Sequence, residues 1–324
     1  MPARTNLSPA PRIMAYRKPR YTRKPRTTRR KSVTKRRYAR KTTTRRRPLM
    51  TKKRLLNVTS TKKRNTMLQL ANTSTANPNS SVPIGPGPYL VNASNGNNIS
   101  VFCPTAMDLT SNTGGANTIV QQAARTATTC YIKGFSEKIR IQTSSGIPWF
   151  WRRIVFRSRS GIFSLFAPAD TPVQNNSGSV SYTETSNGMQ RLYFNQTING
   201  ANTTIFNIHD ALFRGTVNAD WVDPQTAAVD TTRVDLVSDK RMTIRSGNQA
   251  GTVRDISLYH PYNHNLVYDD DENGQNETTA YTSVKDKRGG GDMFIYDLFT
   301  AGTGATTADV LQLTSTSTLY WHEK

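Results

Sequence analysis

The sequence predicts an all-β protein: one antiparallel sandwich behind a disordered, basic N-terminal arm. Three observations lead there. Apolar and polar residues alternate with period two along much of the chain beyond residue 130. Helical periodicity is scarce over the same stretch. Charge is divided unevenly: 25 of the 44 Lys and Arg fall in residues 1–64, which hold none of the 21 Asp and Glu. The formal charge of +23 is thus +25 in the arm, with 19 cations against 21 anions in the remainder.

The arm, residues 1–64, has too little apolar surface to offset the entropy of ordering, and its cations repel one another, so it is expected to be disordered when free. Its charge calls for a polyanion. "YRKPR" from Tyr16 is nearly repeated as "YTRKPR" from Tyr21, and Pro19, Pro25 and Pro48 favour extended backbone over helix. Expected phosphate contacts are Arg17, Lys18, Arg20, Arg23, Lys24, Arg26, Arg29, Arg30, Lys31, Lys35, Arg36, Arg37, Arg40, Lys41, Arg45, Arg46, Arg47, Lys52, Lys53, Arg54, Lys62, Lys63 and Arg64. Tyr16, Tyr21 and Tyr38, set among these cations, suit stacking on unpaired bases. No lipidation signal or apolar anchor accompanies the run, which favours single-stranded nucleic acid over a membrane. Such a run also serves as a nuclear import signal, read by a host import receptor.

No apolar run approaches the length of a membrane span, and no secretory signal is evident, so a soluble protein made inside the cell is expected. Asn-x-Ser/Thr triplets such as the one at Asn72 are then expected to stay unglycosylated. Cys103 and Cys130 are too few for a disulfide framework and are expected as small buried residues. Residues 65–107, rich in Ser, Asn, Thr, Pro and Gly, read as linker or coil. The body is expected over 108–324, with its first ordered residue between about 80 and 130.

Alternation predicts strands near 130–142, 149–157, 190–198, 204–208, 233–238, 240–246, 253–260, 292–299 and 308–322. The pair 233–238 and 240–246 reads as a hairpin about a polar break at Ser238–Lys240. The fragments "TIVQQAARTA" and "IHDALF" allow two helical turns at most. Short strands, long loops and missing crossover helices favour a single eight-stranded antiparallel jelly roll over an α/β fold.

Few residues suggest chemistry. His260 and His264 have a helical metal spacing, but Pro261 intervenes and removes a common face. His209 lacks a nucleophile context, and "RGGGD" lacks the Lys-Ser/Thr of a phosphate loop. In "DDDENGQNE", Asp269, Asp271, Asn273 and Glu277 reproduce the first part of a calcium loop, but Ala280 stands where the bidentate Glu belongs, so a solvated loop or a patch facing a neighbouring subunit is the expected reading. The segment "IPWFWRRIVFRSR" admits two readings. Trp149 and Trp151 are expected in the core of a central strand, while Arg152 and Arg153 either contact nucleic acid or pair internally. No catalytic residues, resident metal or cofactor are expected.

The arm, taken with "GFSEKIRIQTSSGIPWFWRRIVFRS", "DLVSDKRMTIRSGN", "HPYNHNLVYDDDENG" and the final "LYWHEK", resembles the capsid proteins of genomoviruses, the gemycircularvirus group, and more distantly geminivirus coat proteins. The resemblance runs from the arm to the last residues. It implies a jelly roll whose sixty copies form a T=1 icosahedral shell, with the arm inside on circular single-stranded DNA, a passage through the host nucleus, and replication chemistry left to another protein. The zinc-finger-like Cys/His element credited to some geminivirus relatives is not carried over, because Cys103 and Cys130 have no nearby His pair. Two other classes stand beside this reading. A histone-like or ribosome-associated protein would anchor a β domain to cellular nucleic acid, and a lectin or enzyme with a basic tail would show a pocket of converging polar groups.

Overall fold

The long alternating runs become long strands: β1 Thr61–Met67, β2 Asn98–Phe102, β3 Thr129–Thr143, β4 Trp149–Ser158, β5 Asp235–Ile244, β6 Val253–Val267, β7 Asp292–Ala301 and β8 Val310–Glu323. They form two antiparallel sheets, ordered β1-β8-β3-β6 and β5-β4-β7-β2. The chain changes sheet at every connection except the one from β4 to β5. This is the eight-stranded jelly roll. The computed structural model describes residues 50–324 other than 113 and 177, which form one unit. The expected disorder of residues 1–49 lies outside the described residues.

Alternation sends one side of each sheet inward. In β4, Trp149, Trp151 and Arg153 point between the sheets, and Trp151 stacks on Phe299 of β7 with ring centroids 5.4 Å apart. The interior also encloses charge. Arg153 donates from Nε to Asp297 Oδ1 at 2.7 Å and from Nη1 to Glu137 on the opposite sheet. Arg191 donates to Glu137 Oε1 at 2.9 Å, and Trp151 Nε1 to Asp297 Oδ1 at 2.8 Å. Two guanidinium groups and two carboxylates thus neutralise one another in the core. Burial alone pushes Glu137 up, but Arg153 and Arg191 outweigh it and hold the carboxyl down at about 2.

Part of the insertion 159–234 between β4 and β5 covers the outside of the second sheet, His209 and Phe213 packing on Tyr296 and Arg152, while its strand Gly188–Tyr193 sends Arg191 into the core network. Its helix α2, Asn202–Leu212, buries Thr204, Ile208 and Leu212 at helical spacing. His209 Nε2 lies 2.8 Å from Tyr296 Oη of β7. Burial holds the imidazole pKa down at about 4.

Several expectations need correction. The span 204–208 is helix, not strand, because Asp170 supplies a cap: its carboxylate accepts from Thr203 N at 2.9 Å and Thr204 N at 2.7 Å. The expected strand at 190–198 occupies Gly188–Tyr193. The hairpin at 233–246 is the single strand β5 at the edge of the second sheet: Ser238–Lys240, expected as its turn, pair in regular register with Val155, Ile154 and Arg153, and the register slip falls just before them, at Val237. "TIVQQAARTA" forms turns and no helix.

The domain boundaries move furthest. The body begins by residue 61: residues 50–60 hold a helix, α1 Lys52–Thr59, capped by Thr51 Oγ1 accepting from Arg54 N at 3.3 Å, and β1 follows within the expected arm. The expected linker 65–107 is structure too. It contributes β2 and the short strands Gln69–Ala71 and Tyr89–Asn92, the latter paired with β8. Its polar residues are buried because they bond to one another and to backbone. Gln69 Nε2 donates to Leu313 O at 2.9 Å, Asn72 Nδ2 to Asn195 O at 3.1 Å, and Asn195 Nδ2 to Asn98 Oδ1 at 2.8 Å.

Candidate nucleic-acid interface

Of the expected phosphate contacts, Arg17, Lys18, Arg20, Arg23, Lys24, Arg26, Arg29, Arg30, Lys31, Lys35, Arg36, Arg37, Arg40, Lys41, Arg45, Arg46 and Arg47 lie outside the described residues, as do Tyr16, Tyr21 and Tyr38. Lys52, Lys53 and Arg54 fall in the first half of α1, with Lys52 and Arg54 exposed. In β1 the alternation of a half-buried strand divides three consecutive cations. Lys62 and Arg64 face solvent. Lys63 faces inward, 4 % exposed, with Nζ 2.9 Å from Glu323 Oε2 and donating to Ala124 O and Thr126 Oγ1, each at 2.9 Å. Lys63 is therefore removed from the phosphate-binding set.

Arg152 and Arg153 are removed as well. Both are buried. Arg152 grips Asp239 of β5, Nε to Oδ1 at 3.0 Å and Nη2 to Oδ2 at 2.7 Å, and Arg153 belongs to the core network described above. Trp149 and Trp151 are core residues, as expected, while Phe150 between them is 41 % exposed.

The weak calcium candidate does not assemble. Asp271–Asn273 and Asn276–Thr278 form a two-stranded hairpin, so Asp271, Asn273 and Glu277 are spread along exposed strands instead of converging, and Asp269 is exposed before them. Among the described residues no cluster of three or more His, Cys, Asp or Glu is arranged to hold a metal. The neighbouring Asp270 is held in an internal ion pair with Arg125, Nη1 to Oδ2 at 2.6 Å and Nη2 to Oδ1 at 3.0 Å. His260 is buried and His264 is exposed, on either side of a register slip in β6, so the two rings share no site. Cys103 and Cys130 are buried free thiols.

A group of residues that alternation alone did not single out stands beside Lys62 and Arg64. On the outside of the first sheet, Lys62 is opposite His322, which is opposite Tyr131; Arg64 is opposite Tyr320, which is opposite Gly134. Tyr131 and His322 rings lie 5.9 Å apart. Tyr259 of β6 is 50 % exposed and donates from Oη to Lys133 O at 3.3 Å. Burial, then the neighbouring Tyr320 and Tyr131, raises its hydroxyl pKa, while burial, then Lys62 and Lys133, lowers that of His322. The signal in sequence was "LYWH" in β8 and "CYIK" in β3, where a polar-headed aromatic falls at an outward position. Register was needed to bring them together.

Compared with known proteins, the chain matches no protein-family model and no curated sequence.

Proposed function

We propose that the chain is a structural capsid protein, not an enzyme: sixty copies close into a small T=1 shell, and the arm neutralises packaged circular single-stranded DNA. The observation that carries this is the division of charge, +25 in residues 1–64 against 19 cations and 21 anions beyond, joined to a jelly-roll body. A nearly neutral body can pack against copies of itself, and the unbalanced cations need anions from elsewhere. With Lys63 set aside, sixty copies of residues 1–64 supply about 1400 cations, enough to neutralise much of a strand on the order of 2000 nucleotides. The resemblance to genomovirus capsid proteins supports the same reading. On that reading the mature protein resides in the virion, after passage through the host nucleus by way of an import receptor that reads the arm.

Light scattering across a size-exclusion peak, with absorbance ratio recorded before and after nuclease, tests it. The expected result is a particle of about 2.2 MDa, sixty chains of 36.2 kDa, plus protected nucleic acid. A monomer or dimer whose nucleic acid is digested away would replace the shell with a cellular nucleic-acid-binding protein.

A further inference from the structure

The arm supplies a sequence-independent attraction that needs no particular shape, yet the body presents a shaped surface of matching chemistry. On the outer face of the first sheet, four aromatic rings, Tyr131, Tyr259, Tyr320 and His322, are interleaved with Lys62, Arg64 and Lys133. Cross-strand aromatic pairs do stabilise sheets by themselves. Two further features point past that role. First, the cations are uncompensated: among the described side chains on this face of β1, β3, β6 and β8, Asp255 is the one carboxylate, and Arg140 engages it at 2.8 Å. Second, one of the rings lies close against the sheet while half its surface stays open to solvent. Gly134 stands opposite Tyr320, and a Cβ there would come within 2.6 Å of Tyr259 Oη and 2.7 Å of His260 O, so the absent side chain is what lets Tyr259 lie in close to the sheet.

We propose that this face binds unpaired bases of single-stranded nucleic acid. Bases stack on Tyr259, Tyr320 and the Tyr131–His322 pair, while Lys62, Arg64 and Lys133 meet the phosphates. Stacking needs an open base face, which a duplex hides, so the ligand is a single strand. The proposal rests on the reading that this chain packages such a strand, and it adds a base-dependent contact on the folded body to the charge-dependent one in the arm. Lys62 and Arg64 follow the arm directly in the chain, so one strand can pass from the first kind of contact to the second.

The test compares binding of full-length protein to oligo(dT) and to an abasic oligonucleotide of equal length, in about 0.5 M salt, where phosphate contacts are weakened. The arm's tyrosines add their own preference, so the quantity read is the change on substitution. Tyr259→Leu with Tyr320→Leu should reduce the preference for oligo(dT) by about tenfold or more, the loss of one stacked base. Binding to the abasic strand should not change, and Tyr259→Phe with Tyr320→Phe should keep the wild-type preference. Ultraviolet cross-links to oligo(dT) should map to peptides of β3, β6 or β8 as well as the arm. An unchanged preference with cross-links confined to the arm overturns the proposal. So does a change in particle mass with unchanged preference, which would assign the face to contact between copies. Light scattering on the same samples separates the two readings: a monomer that keeps the tyrosine-dependent preference removes only the shell, and a shell without it removes only this face.

Discussion

Lys62, Lys63 and Arg64 are three adjacent cations in two different surroundings, and only their phase along a strand tells them apart. Lys63→Met leaves Glu323 buried without its ammonium partner and is expected to lower stability by about 3–5 kcal/mol, whereas Lys62→Ala and Arg64→Ala should change it by less than about 0.5 kcal/mol. Denaturant midpoints of the three variants measure this directly. The phase was legible once a strand was assigned, but residues 61–64 were read as arm and 65–67 as linker because charge density hid an alternation of Lys63, Asn65 and Met67 inward. Three histidines carry a second expectation. Burial, aided at His260 by Arg153, holds His209 and His260 near 4, well below the 6.5 of an unfolded chain. Each therefore contributes stability that is complete above about pH 6.5 and is lost as pH falls toward 4, and His322 acts in the same direction. Asp292 opposes them. Burial raises it to about 6, so its contribution is complete below about 3.8 and lost as pH rises through 6. The unfolding midpoint should fall between pH 6.5 and 4.5, and it should become nearly flat over that range in the His209→Gln, His260→Gln variant. An equally steep fall in that variant would place the proton uptake elsewhere.

At the level of elements, the long strands were legible and the polar ones were not. β3 and β8 follow their alternation closely because one face of each lies in the core, whereas β4 and β7 are buried on both faces, by the core on one side and by residues such as His209 and Phe213 on the other. The second half of helix α2 was legible in "IHDALF", but its first half escaped for a physical reason: its cap comes from Asp170, more than thirty residues upstream, and one of its inward positions is Thr204, whose hydroxyl also donates to that carboxylate at 2.6 Å. Asp170→Ala should cost about 1 kcal/mol and raise amide exchange at Thr203 and Thr204 well above that at Ile208. The 65–107 segment escaped for a related reason. Composition rich in Asn, Ser and Thr signals coil when those side chains bond to water, but Asn72, Asn98 and Asn195 bond to one another across distant parts of the chain. Nothing local reports that.

Considered whole, the molecule gathers 25 of its 44 cations into residues 1–64, where there is no carboxylate, and that division was the plainest signal of all. If the arm holds DNA through phosphate contacts, permeable shells should lose DNA as ionic strength rises from about 0.1 M toward 1 M, with the logarithm of retention affinity falling linearly in log salt. Equal DNA content per particle at both ends of the range would refute the electrostatic account. The candidate face on the first sheet was not legible in this way, because Lys62, Tyr131, Tyr259 and Tyr320 are brought together only by strand register.

β1 pairs along its length with β8, Thr61 opposite Glu323 and Met67 opposite Ser317. During synthesis this sets an order in time. The first strand of the sandwich must wait for almost the last residue to leave the ribosome before its partner exists, and pairings so distant in sequence close slowly. The basic N-terminal residues leave first. Throughout translation, then, the nascent chain is a polycation on an unfinished body; if it is a capsid protein as proposed, its cations are exposed to cellular polyanions before it can join another copy of itself.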